Sequence, residues 1–100
     1  MSALALVFGP GLVPYLMRRG ASVTLRASPR HGCCGGTVDV PVAELGAPTN
    51  TERYEVIERE GVRVYLELGL RRAAREPVTV GLEGFGPWRR LWVSGLESQM

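Results

Sequence analysis

The run Ala21-Ser22-Val23-Thr24-Leu25-Arg26-Ala27-Ser28-Pro29-Arg30-His31-Gly32-Cys33-Cys34-Gly35-Gly36-Thr37-Val38-Asp39-Val40-Pro41-Val42 carries two alternating segments around a glycine-rich centre. In the first, Val23, Leu25 and Ala27 fall on one side and Ser22, Thr24 and Arg26 on the other. That alternation predicts a strand over residues 21–28 with one wet face. Residues 37–42 alternate again, with Val38, Val40 and Val42 opposed to Thr37, Asp39 and Pro41. Because Pro41 has no N–H for a central ladder, this second strand belongs at a sheet edge or a bulge. Residues 29–36 between them read as a loop.

Upstream, residues 4–8 form a short apolar segment, punctuated by Gly9-Pro10-Gly11. A helix is predicted over residues 12–19, with Leu12, Leu16 and Val13 facing the core. Pro14 fits its first turn, Arg18 and Arg19 suit the negative end of the helix dipole, and Gly20 suits the residue beyond it. Downstream, residues 54–59 and 62–68 flank Glu60-Gly61 as a hairpin, with Val62, Val64, Leu66 and Leu68 pointing inward. Residues 71–75 make one helical turn, stopped by Pro77. Val78, Val80 and Leu82 then alternate, and Gly84-Phe85-Gly86-Pro87 turns the chain into a last strand over residues 89–93. The expected architecture is α+β, mostly antiparallel β with one short N-terminal helix, in a single domain over residues 1–100.

A chain of 100 residues with 45% hydrophobic and 22% charged residues holds one core and is neither disordered nor of low complexity. All 12 basic residues are arginine, against 10 acids, and a net charge of +2 is too small a field to hold nucleic acid. The apolar stretch over residues 3–17 lacks a positive leader and is broken by Gly9-Pro10-Gly11, so it reads neither as a signal peptide nor as a membrane span. The only cysteines, Cys33 and Cys34, are adjacent, unlike the spaced half-cystines of a secreted scaffold. The expectation is a soluble, cytoplasmic protein with no membrane partner.

The chemistry concentrates in residues 30–36, where the two thiols stand between Gly32, Gly35 and Gly36. Glycine lets a backbone adopt positive φ and approach a ligand closely. Adjacent Cα atoms are about 3.8 Å apart across a trans peptide, below the roughly 4.4–6.8 Å usual for a disulfide, so a bond between these sulfurs is strained and easily reduced. Strain favours a switch or a catalytic bond over a structural staple. Thiolates are also good ligands for soft metals and iron-sulfur clusters, but with His31 one loop offers three donors where such sites take four. A metal site therefore requires a dimer or a partner protein. Against both stands inert packing, since free cysteine is often buried as a small hydrophobe. A lone loop histidine is in turn more often solvated than a ligand. Arg71, Arg72, Arg75, Arg89 and Arg90 offer a basic area, with Trp88 and Trp92 as interface anchors or, more simply, as core support beside Phe85. One histidine builds no Ser-His-Asp set, and no glycine-rich phosphate loop precedes a helix.

Helix, strand, Gly-Cys-Cys-Gly-Gly loop, strand, Tyr-Glu-Val hairpin and Gly-Phe-Gly turn follow one another here as Gly32 to Gly36, Tyr54 to Val56 and Gly84 to Gly86. In this order the chain resembles the HesB-like family, the fold of the A-type iron-sulfur carriers. Within it, the chain is most similar to a small branch with a vicinal-cysteine motif, over about residues 10–96. The resemblance implies a compact β fold. One cysteine position in that branch can be selenocysteine, which implies thiol or selenol redox chemistry, or chalcogen handling, at Cys33 and Cys34 as catalytic residues. The A-type carriers add a Cys-Gly-Cys pair near the C-terminus; Gly84-Phe85-Gly86-Pro87 and the strand after it supply no such ligands. The alternative is a carrier of an iron-sulfur cluster or a soft metal ion, with Cys33, Cys34 and His31 as ligands in a homodimer. Gly32, Gly35 and Gly36 would cradle the bound group. A protein partner in redox or iron-sulfur metabolism fits either reading. The third reading is a non-catalytic interaction domain that docks through its Arg-Trp region.

Overall fold

Strand direction separates this fold from its local sequence pattern. The computed structural model describes residues 5–31, 36–71 and 77–96. Its elements are β1 (Leu6–Phe8), α1 (Leu12–Met17), β2 (Ser22–His31), β3 (Thr37–Leu45), β4 (Tyr54–Arg59), β5 (Val62–Glu67), α2 (Leu68–Arg71), β6 (Val78–Glu83) and β7 (Arg90–Ser94). Two 3-10 turns, Thr51–Arg53 and Gly86–Trp88, precede β4 and β7. One sheet has the order β3-β2-β5-β4 and the other β1-β6-β7. Each sequential neighbour pair, β2–β3, β4–β5 and β6–β7, is antiparallel, as expected. The pairs that join distant segments, β1–β6 and β2–β5, are parallel, so both sheets are mixed. Alternation within one strand specifies a face but not the direction of a neighbour.

The β4–β5 hairpin follows its turn chemistry. Arg59 pairs with Val62 across a two-residue turn in which Glu60 and Gly61 have φ of 54° and 81°. Positive φ at both positions matches the right-handed twist of the flanking strands. A Cβ on Gly61 would also stand 3.1 Å from Met17 Cε, so glycine serves the packing on α1 as well. Helix α1 ends at Met17, sooner than expected. The chain then closes on itself, with the N–H groups of Arg19 and Ala21 both donating to Leu16 O, at 2.8 and 2.7 Å. Pro41 lies on β3, an edge strand, where its missing donor is harmless.

The core forms where α1 and the two sheets converge: Leu12, Leu16, Val23, Leu25, Val62, Val64, Leu66, Val78, Val80 and Leu96 are fully buried. Three expectations are corrected. Residues 29–31 belong to β2 and not to the loop, since Pro29, Arg30 and His31 pair with Asp39, Val38 and Thr37. Thr24, expected on a wet face, is buried, and its hydroxyl donates to Gly46 O at 2.7 Å. Leu68 is half exposed, because β5 ends at Glu67 and α2 begins there; Leu70 is the residue of this turn that reaches the core. The four-residue α2 turn begins at Leu68; of the helical turn expected over residues 71–75, residues 72–75 lie outside the described residues.

Candidate functional site

The β2–β5 ladder spans Ser22 to Leu25 only. From Arg26 to His31, β2 pairs with β3 alone, in register from Arg26–Val42 to His31–Thr37. These two half-strands form an arm beyond the four-stranded sheet. At its root the Ala27 N–H, which would otherwise face a missing β5 neighbour, donates to Glu67 Oε1 at 2.7 Å. The carboxylate thus replaces the ladder at the point where β5 turns into α2, and the polar backbone group keeps a partner. Pro29 is accommodated where β2 has a neighbour on one side.

Gly32, Cys33, Cys34 and Gly35 lie outside the described residues. Their flanks are described: His31 ends β2 and Thr37, its Cα partner, begins β3. Gly36 is exposed, with open space where a Cβ would stand. Among the described residues no group of three or more His, Cys, Asp or Glu side chains is placed to hold a metal ion. None of their helices is long and apolar enough to cross a membrane.

Along the arm, Arg26 and Glu44 form a two-point ion pair, with Nε on Oε1 at 2.9 Å and Nη2 on Oε2 at 2.7 Å. This hydrogen bonding holds the Glu44 carboxyl below its ordinary pKa and raises the Arg26 guanidinium further. The pair borders a shallow groove of about 640 Å³ between β3 and β7, lined by Val40, Val42, Trp92 and the Arg90–Glu83 ion pair among others.

The aromatic residues of the β6–β7 connection are placed otherwise than core support requires. Phe85 is 78% and Trp88 76% exposed. Trp92 is partly exposed, its ring lying over Gly81, where a Cβ would come within 2.2 Å of Trp92 Cζ2. The connection joins the last two strands of the three-stranded sheet, and its two aromatic side chains stand in solvent. The basic area also divides. Arg90 is tied to Glu83 at 2.8 Å, Arg89 turns toward Tyr15, and Arg72 and Arg75 lie outside the described residues. Tyr15 itself escaped the sequence reading. Three residues after Leu12 it borders the core-facing side of α1, packed in part against the core, and only the fold brings Arg89 to its ring.

No curated protein matches the chain. Among solved structures, the chain is similar to the crystal structure of Escherichia coli SufA, a protein involved in biosynthesis of iron-sulfur clusters. The TM-score is 0.60 at 13% identity, covering 98% of this chain and 87% of that one. At that identity the likeness establishes a shared fold, the HesB-like one, mostly strand with few helices. Residues 8–96 match the family model described as CC/Se motif containing, and by that match the chain belongs to the CC/Se motif containing family.

Proposed function

We propose that Cys33 and Cys34 are a vicinal dithiol that exchanges with a disulfide substrate, a thiol-redox function for a protein of a reducing compartment. One thiolate attacks a sulfur of the substrate disulfide, forming a mixed disulfide and expelling the first substrate thiol. The neighbouring thiol gives up its proton and attacks the mixed disulfide, forming the Cys33–Cys34 bond and expelling the second. Two electrons pass from the protein thiols to the substrate sulfurs, and two protons accompany them. Arg30, three residues before Cys33 in the sequence, is a positive charge of the kind that favours a thiolate, and His31 adds to it when protonated. The strain of a bond between adjacent residues makes the oxidised form a ready oxidant of a substrate dithiol, which is the same exchange run in reverse.

The observation that carries this reading is the pairing of His31 with Thr37, beyond the last residue of β2 that has β5 beside it. The described residues that flank the two thiols in sequence thus end β2 and precede β3, where β2 pairs with β3 alone. A second reading, a homodimer holding an iron-sulfur cluster or a soft metal ion, is favoured by the likeness to SufA. Its donor set fits only across two chains, because each has two cysteines and one histidine. In that case Cys33 and Cys34 of both chains would be the ligands.

Intact mass of the native protein, oxidised by a small disulfide and then reduced, tests the proposal. A gain of about 2 Da on reduction, abolished in Cys33→Ser and in Cys34→Ser, is the expected result. Unreactive thiols in the native protein overturn it. Stoichiometric iron and sulfide retained by a dimer after anaerobic reconstitution would transfer the site to the second reading.

A further inference from the structure

We propose that the β6–β7 connection and the adjoining side of α1 form a docking surface for a partner protein that presents an apolar pocket with an acidic rim. Phe85 and Trp88, both more than three-quarters exposed, stand at the two ends of one short turn. That turn is held by its backbone: the Trp88 N–H donates to Phe85 O at 3.2 Å. Gly84, with φ of 85°, lies so close that a Cβ would come within 2.2 Å of Trp88 O. A turn this tightly set presents its two aromatic side chains with little backbone entropy left to lose on binding. Arg89 follows Trp88 in the chain, and the guanidinium groups of Arg19 and Arg89 stand 3.9 and 5.9 Å from the centre of the Tyr15 ring.

Charge pairing sets Arg19 and Arg89 apart from the glutamate-bound arginines. Arg26, Arg63 and Arg90 are each engaged by a glutamate, Glu44, Glu58 and Glu83. Arg19 and Arg89 rest on an aromatic ring and make no ion pair among the described residues. Two cations with no ion pair among the described residues, one of them directly after Trp88 in the chain, call for carboxylates around an apolar socket. Tryptophan, tyrosine and arginine are also the residues that dominate binding energy at protein interfaces. Stacking on a single-stranded nucleic acid would use the same rings, but it needs a basic track along the backbone. The net charge of +2 and the pairing of Arg90 with Glu83 leave this face without one.

Selection of peptides from a displayed random library on the intact protein tests the assignment, followed by affinity measurements on the enriched sequences. Enrichment of Asp or Glu beside Leu, Ile or Phe is expected. Affinity should fall about 10-fold or more in Trp88→Ala, and in Phe85→Ser as an independent variant. Both positions are exposed, and an unchanged circular dichroism spectrum confirms that the fold is kept. Arg89→Glu should weaken the acidic peptides about 5-fold at low salt and recover affinity for peptides with Lys in place of the acid. Peptides without this signature, or binding indifferent to Trp88→Ala and Phe85→Ser, overturn the proposal. So does a dimer in sedimentation that is lost in Trp88→Ala, which gives the surface to a second copy. Binding of a poly-uridine oligonucleotide that depends on Trp88 gives it to nucleic acid and likewise overturns it.

Discussion

Within the same strand, β2 passes from the most buried part of the molecule to one with half-open sides. At Val23 and Leu25 it lies between β3 and β5, under α1, and both side chains are fully buried. From Arg26 onward it has only β3 beside it, and Ala27, Ser28, Val40 and Val42 are all partly exposed. The first half binds the sheets and α1 into one core, while the second pairs with β3 alone as far as His31, the last described residue before Cys33 and Cys34 in sequence. One strand thereby carries a fully buried half and a partly exposed one, as stability is not uniform across a fold. Glu67 is the joint between them, a carboxylate from the core strand β5 bound to the first backbone donor of the arm after the ladder ends.

The contrast can be broken first in the core. Leu66→Ala removes a fully buried side chain next to Leu25 and should cost about 2–5 kcal/mol in urea or thermal unfolding. Either single cysteine substitution should leave that stability within about 0.5 kcal/mol. An equal loss in the two kinds of variant would mean that the cysteine segment is part of the core after all.

Glu67→Ala sharpens the joint. It leaves the Ala27 N–H without its carboxylate and should cost about 1–2 kcal/mol. Hydrogen exchange should quicken at Ala27 and along the arm, while Val23 and Leu25 stay protected. Uniform acceleration across β2 would show that arm and core open together.

The smallest expected effect is electrostatic. Because Arg26 lowers the folded-state pKa of Glu44, the pair contributes stability above the ordinary carboxyl value of 4.5, and that contribution is lost as pH falls through the lower folded-state value. Side chains 35% and 49% exposed limit it to about 0.5 kcal/mol. In Glu44→Gln the acid limb of the stability–pH curve should flatten by that amount. An unchanged limb would place the acid sensitivity on other carboxylates.

Residue type and spacing alone determined the pieces whose causes are local. Glu60-Gly61 announced a hairpin because few residues accept positive φ at two successive positions, and both do so here. Pro41 announced an edge because it lacks a donor, and β3 is an edge. The vicinal cysteines between glycines were legible as the candidate site for the same reason: their chemistry follows from adjacency, not from distant neighbours. The tertiary structure decided what depends on neighbours remote in the chain. Leu6 meets Val78 and Val23 meets Val64 in parallel ladders that no local alternation encodes. Thr24 is buried with the Gly46 carbonyl accepting from its hydroxyl, whereas Trp88 and Phe85, apolar by type, stand exposed on their turn. Dihedral preferences and side-chain periodicity act within a few residues, whereas burial is settled by whichever segments pack together, and only the folded chain brings those segments into contact.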